Sequence, residues 1–154
     1  MKKIFTTSNT THFALLIARI GIAALMLTHG IPKLLMLLSG APIQFPPVLG
    51  MSAEVSLGLA VFAEVFCSLF ILAGFATRLA TIPLIITMMV AIFTIHSADP
   101  FVKQEPVFQY LLVYAVLCIA GSGKYSIDYV LQKQISKETL SKSKIQYPSL
   151  ATYP

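Results

Sequence analysis

Apolar residues gather along the chain in four long blocks, at about residues 12–38, 52–73, 79–97 and 107–120. Each is close to the roughly 20 residues that an α-helix needs to cross a bilayer. The breaks between them carry helix-stopping residues: Ser39-Gly40-Ala41-Pro42 through Pro46-Pro47 to Gly50, then Gly74 to Arg78, then Asp99-Pro100 to Pro106, and Gly121-Ser122-Gly123. Glycine costs backbone entropy in a helix, and proline removes a donor and pushes the residue before it out of the α region. The pattern predicts an all-α chain, an integral membrane four-helix bundle spanning residues 1–131. Residues 132–154 are rich in Lys and Ser and end in Tyr-Pro, which reads as a mobile, solvated tail.

Composition agrees with the pattern. Of 154 residues, 56% are hydrophobic and 11% charged, whereas soluble domains carry about a quarter charged residues. The chain cannot cover its apolar groups with polar surface. A formal charge of +5 would suit nucleic acid, but the basic residues stand at the ends of apolar blocks and form no stripe interleaved with aromatics. They act instead as a topology signal. Lys2 and Lys3 precede the first block, Arg78 lies between the second and third, and Lys124, Lys133, Lys137, Lys142 and Lys144 follow the fourth. Both termini and the Arg78 loop are therefore expected on the cytoplasmic side. The tail lysines could also rest on anionic headgroups. A cleavable signal peptide is the poorer reading of the first block, which exceeds the length of such a signal and lacks a small-x-small site. Cys67 and Cys118 stand alone inside apolar blocks and read as packing residues. Gly21, Ala24, Gly58, Ala60, Ala63 and Gly74 offer close approach between helices.

Chemistry enters through the ionisable residues inside the apolar blocks. One at bilayer depth costs at least about 2.5 kcal/mol on insertion scales, so each needs a partner, a wet cavity or an escape to the interface. The first block holds Arg19, His29 and Lys33, the second Glu54 and Glu64, and the third ends at His96. At roughly 100° per residue, Lys33 and His29 fall about 40° and 80° from Arg19, which makes one face of the first helix polar. Counting depth from His12 and from Gly74 at about 1.5 Å per residue brings Arg19 and Glu64 within reach of each other and predicts an ion pair between them. His29, Lys33, Glu54 and His96 fall in the outer half, where they could line one cavity; the alternative is that Lys33, Glu54 and His96 each snorkel to water. Pro32, between His29 and Lys33, could kink the helix there.

Several segments in order resemble the DoxX family of small four-helix bacterial membrane proteins: Arg19-Ile20-Gly21, His29-Gly30-x-x-Lys33, Ala63-Glu64, Leu72-Ala73-Gly74-Phe75-Ala76-Thr77-Arg78, and Gly121-Ser122-Gly123-Lys124-Tyr125-Ser126-Ile127-Asp128. The resemblance covers about residues 13–131. It implies a multi-pass protein of the bacterial cytoplasmic (inner) membrane. Arg19, His29, Lys33, Glu64, Lys124, Ser126 and Asp128 are its family-like polar residues. Some members are described as the membrane subunit of a thiosulfate:quinone oxidoreductase, and others are associated with quinone or catechol stress. The expectation is a membrane subunit of an oxidoreductase system, working with a partner redox subunit in the lipid bilayer. It would bind a quinone or similar aromatic head, with His29, Lys33 and Glu64 catalytic and Arg19, Glu54 and His96 holding the ligand. A non-enzymatic transporter or anchor for a partner protein is the competing reading. Haem held by His29 and His96 is a third, although a lone histidine near an interface is more often just hydrogen-bonded. No metal-ligand cluster and no nucleic-acid surface are expected. The Gly121–Lys124 stretch lacks the strand of a phosphate-binding loop and reads as a helix stop with an interfacial lysine.

Overall fold

The computed structural model describes residues 9–146. Lys2 and Lys3, residues 147–154 and the side chains of Lys142 and Lys144 lie outside what is described. Among the described residues every regular element is helical: α1 (Asn9–Leu38), α2 (Ala53–Ala73), α3 (Thr77–Ile95), α4 (Phe101–Ala120) and α5 (Ile127–Gln146). The first three are long and apolar enough to cross a membrane. α1 packs on α2, α2 on α3, α3 on α4, and α4 returns to α1, closing a ring. Its centre is filled by Ala23, Met26, Ile71, Leu84, Tyr114 and Leu117, while Ile17, Leu35, Leu59, Phe66, Leu79, Phe93 and Leu112 face outward. Apolar residues on the outside as well as the inside are what a lipid solvent requires. The chain is a multi-pass membrane protein.

Four membrane-spanning helices were expected; among the described residues there is a fifth helix, Ile127–Gln146, which makes residues 132–146 of the expected mobile tail helical. Ser126 caps this helix by accepting from Tyr129 N at 3.2 Å. Gln, Lys, Leu and Glu, all good helix formers, carry it on. α4 starts at Phe101, six residues before the predicted edge, and absorbs Pro106. As the sixth residue of the helix it forfeits one ladder bond, which helices in membrane proteins tolerate. Pro32 likewise sits inside a helix that continues to Leu38.

Helix register comes from two glycines. A Cβ on Gly30 would lie 2.8 Å from Val65 Cγ2 and 3.0 Å from the Glu64 carbonyl carbon, and one on Gly74 would collide with the Arg19 guanidinium. Gly30 therefore faces Glu64, and Arg19 lies level with Gly74, so α1 and α2 run antiparallel with Glu64 about 16 Å along the axis from Arg19. Of the predicted close-packing positions, Gly21 and Gly58 face open space and Ala24 is exposed, whereas Ala60, Ala63 and Gly74 are buried. Gly30 was missed. Cys67 is buried and Cys118 half-buried, both as free thiols.

Candidate functional site: a polar chamber between α1, α2, α3 and α4

Glu64 is buried at 2% exposure inside a π-helical segment of α2, Phe62–Cys67. A second π segment, Ala91–Ile95, ends α3. Such segments insert a residue into the helix and are frequent at functional sites. Here they flank a cavity of about 280 Å³ lined by His29, Lys33, Glu64, His96, Lys103 and Tyr110 among others. Lys33 reaches from α1 to form an ion pair and hydrogen bond with Glu64 Oε1. Oε2 of the same carboxylate is buried with no hydrogen-bond partner among the described residues. Lys33 Nζ also stands 6.0 Å from the Phe45 ring centroid. The His29 ring meets Tyr110 edge-on at 5.8 Å, and Tyr110 stacks on buried Tyr114 at 6.2 Å.

His96 Nδ1 lies 2.8 Å from Asp99 Oδ2, so its N–H donates to the carboxylate and, in the neutral ring, Nε2 is left as an acceptor. That hydrogen bond holds the Asp99 carboxyl below its ordinary value, partial desolvation works against it, and the charge of Lys103 at 3.8 Å adds to it. Gln104 ties the turn by donating to the His96 and Asp99 carbonyls at 2.8 and 2.9 Å. A second cavity of about 170 Å³ shares Lys33, Glu64, Thr87 and Ala91 with the first and is otherwise mostly apolar, walled by Phe45, Leu49, Leu59, Ile86 and Ile95. The Lys33–Glu64 pair thus stands where a polar chamber meets an apolar groove.

The predicted Arg19–Glu64 ion pair does not form: Glu64 pairs with Lys33, and Arg19 donates through Nη2 to the Tyr125 carbonyl at 2.5 Å. The prediction set His12 and Gly74 at equal depth, whereas Arg19 is level with Gly74 and His12 stands about two turns beyond it. Arg19, fully buried, belongs to a latch at the other end of the ring. There Gly74 (φ +70°) closes α2 in a Schellman arrangement, Phe75 N donating to Phe70 O at 2.9 Å and Gly74 N to Ile71 O at 3.1 Å. Asp128 accepts from Ala76 N at 2.7 Å and Thr77 N at 3.3 Å, capping α3, while its own N–H donates to Gly74 O at 3.0 Å. Glu54 is exposed in the first turn of α2 and does not line the chamber. Of the six predicted site residues, four share the chamber: His29, Lys33, Glu64 and His96. Lys103 and Tyr110 went unpredicted, since Tyr110 sits in an apolar run and Lys103 lies outside the apolar blocks.

The DoxX family model matches residues 14–97, more than half of the chain. The chain belongs to the DoxX family. No curated protein and no solved structure matches it. Three of the chamber's helices fall within the span that matches DoxX. The Gly121–Asp128 segment, which shares the resemblance on sequence, lies beyond it and forms the far half of the Arg19 latch. Among the described residues of this DoxX protein, no three His, Cys, Asp or Glu side chains converge as a metal site.

Proposed function

We propose that this protein is the membrane subunit of an oxidoreductase system and that its chamber binds the head of a quinone or a similar small aromatic carbonyl compound. The observation that carries the reading is the Lys33–Glu64 pair at the junction of a polar chamber and an apolar groove, with His29, His96 and Tyr110 facing the same space. A polar head with an apolar tail matches that division. Donors suit carbonyl oxygens: the Lys33 ammonium and the His29 ring can each offer a proton or a hydrogen bond. Glu64, with one oxygen on Lys33 and the other unpartnered, can take up or pass on a proton inside the ring. Bound there, a quinone would supply electron-acceptor chemistry, with electrons delivered by a partner redox subunit. The chain's own part is to orient the head, keep it dry and hold protons at His29 and Glu64. The basic latch end, with Arg78 and Lys124, is the cytoplasmic end in this reading, the chamber opens toward the opposite side, and the membrane is the bacterial inner membrane.

The test is binding of a short-chain ubiquinone analogue to purified full-length protein. His29→Ala and Lys33→Met should each weaken binding about tenfold, the loss of one strong hydrogen bond. Unchanged affinity in both would remove the chamber from quinone chemistry.

The exposed surface of α5 favours a second role, as an anchor that docks a cytoplasmic partner. In that case deletion from Ser136 onward releases the partner while leaving the helical ring folded, and no quinone analogue binds.

A further inference from the structure

A cavity larger than the chamber lies elsewhere in the molecule. About 550 Å³ lie at the latch end, between the start of α1, the start of α3 and the loop from α4 into α5. His12, Thr77, Arg78, Lys124 and Asp128 bring polar groups to it from three different stretches of chain. Their hydrogen bonds leave a positive balance. Arg78 donates one N–H to the Ile119 carbonyl at 3.1 Å, and Lys124 Nζ stands 3.5 Å from Asn9 Oδ1. Among the described residues neither cation is paired with a carboxylate. Asp128, the carboxylate on the cavity wall, spends its oxygens on the Ala76 and Thr77 backbone N–H groups. Thr77 is fully buried, and its hydroxyl has no hydrogen-bond partner among the described residues.

Two glycines make this geometry possible. Gly121 (φ +79°) lets the loop lie against Arg78, since a Cβ there would come 3.1 Å from Arg78 Nε. Gly123 (φ +75°) brings the loop onto His12, whose Nδ1 accepts from Lys124 N at 3.3 Å. Beside the cavity, exposed Leu79, Ile119 and Tyr129 continue the apolar outer surface. We infer that this cavity is a binding site for a phosphate-bearing anion, with Arg78 and Lys124 as its charged arms and the Thr77 hydroxyl as a further donor. Arginine and lysine together suit a tetrahedral dianion or a phosphodiester: the guanidinium presents a planar fork of donors and the ammonium a mobile point charge. The phosphate can belong to a lipid headgroup, whose acyl chains would lie along the adjoining apolar surface, or to a free phosphate compound. This site is separate from the chamber and does not depend on how the chamber is read.

The experiment is calorimetric titration of the purified full-length protein in detergent with three probes: dioctanoyl phosphatidic acid, inorganic phosphate and, as the phosphate-free control, dioctanoylglycerol. Phosphatidic acid is expected to bind and dioctanoylglycerol not to. Lys124→Gln and Arg78→Gln should each weaken binding about tenfold, a charge-assisted hydrogen bond lost, while Lys133→Gln, on the exposed face of α5, leaves it unchanged. Arg78 also holds the Ile119 carbonyl, so the Lys124 variant, judged beside its own thermal unfolding curve, carries the result if the Arg78 variant unfolds. Phosphate that binds and displaces the lipid identifies a free phosphate site; phosphate that does neither, while phosphatidic acid binds, identifies a headgroup site. Absence of binding by both phosphate probes overturns the inference. Equal weakening by Lys133→Gln, or binding of dioctanoylglycerol as tight as that of phosphatidic acid, overturns it as well.

Discussion

Single residues carry most of the specificity of this molecule. Gly74 combines a left-handed backbone with a space that the Arg19 guanidinium fills, so Gly74→Ala adds strain and a collision together. It should lower stability by about 1–3 kcal/mol, read as a fall in the thermal unfolding midpoint in detergent. Gly21→Ala, in open space within a helix, should leave the midpoint unchanged or raise it. The Lys33–Glu64 pair behaves differently. Lys33→Met strands a carboxylate that is 2% exposed and should cost about 3 kcal/mol. Lys33→Met combined with Glu64→Gln should cost less than the two single changes summed, because neither charge is then left alone. A double-mutant cycle by thermal unfolding checks this, and strict additivity would deny the coupling. At this scale the sequence showed which residues needed partners but not which partners they found. Burial of Arg19 and Glu64 in apolar blocks was legible from hydropathy alone. Their partners depend on how far one helix slides along another, and that is decided by close contacts such as Gly30 on Glu64, which no count along a single helix contains.

At the scale of elements, the turn between α2 and α3 is held by a residue 51 positions away from the helix it caps, Asp128 on Thr77 N. Asp128→Ala should remove that cap and cost about 1–2 kcal/mol, with faster amide exchange at Ala76 and Thr77 as its local signature. The turn between α3 and α4 is expected to respond to pH through Asp99. Asp99 is held below its ordinary value of 3.8, mainly by the His96 ring hydrogen bond. A depressed carboxyl contributes stability that is complete above that ordinary value and is lost as pH falls through the lowered one. Protection factors of the amides across residues 96–104, which correct for the intrinsic pH dependence of exchange, should therefore fall as pH drops below 3.8, and Asp99→Asn should abolish that dependence. Element boundaries were legible wherever glycine marked them, as at Gly74. Proline misled in α4, because a helix in a membrane protein can run through Pro106 at the cost of one ladder bond. The α5 helix was hidden by its lysines and serines, which signal solvation but do not prevent helix formation when a cap such as Ser126 starts it.

At the scale of the whole molecule, the ring of helices separates two cavities by distance along its axis. One end holds the Arg19 latch and the basic cavity; the other holds the chamber with His29, Lys33, Glu64 and His96. Membrane residence and family were legible in the sequence, because hydropathy and ordered short motifs survive without coordinates. The grouping of His29, Lys33 and His96 was expected from their depth along the helices, whereas Glu64 stands in the chamber where Glu54 was expected, and Tyr110 and Lys103 required a fourth helix placed in space. The central claim is that the chamber binds a quinone head. Its most direct test is photolabelling of the purified protein with an azidoquinone, followed by peptide mapping. The account predicts adducts on the segments that face the chamber, around His29 to Lys33 and Thr87 to Ala91, suppressed by excess unlabelled quinone. Adducts confined to outward-facing residues such as Leu35, Phe66 and Leu112, and insensitive to competitor, would contradict it.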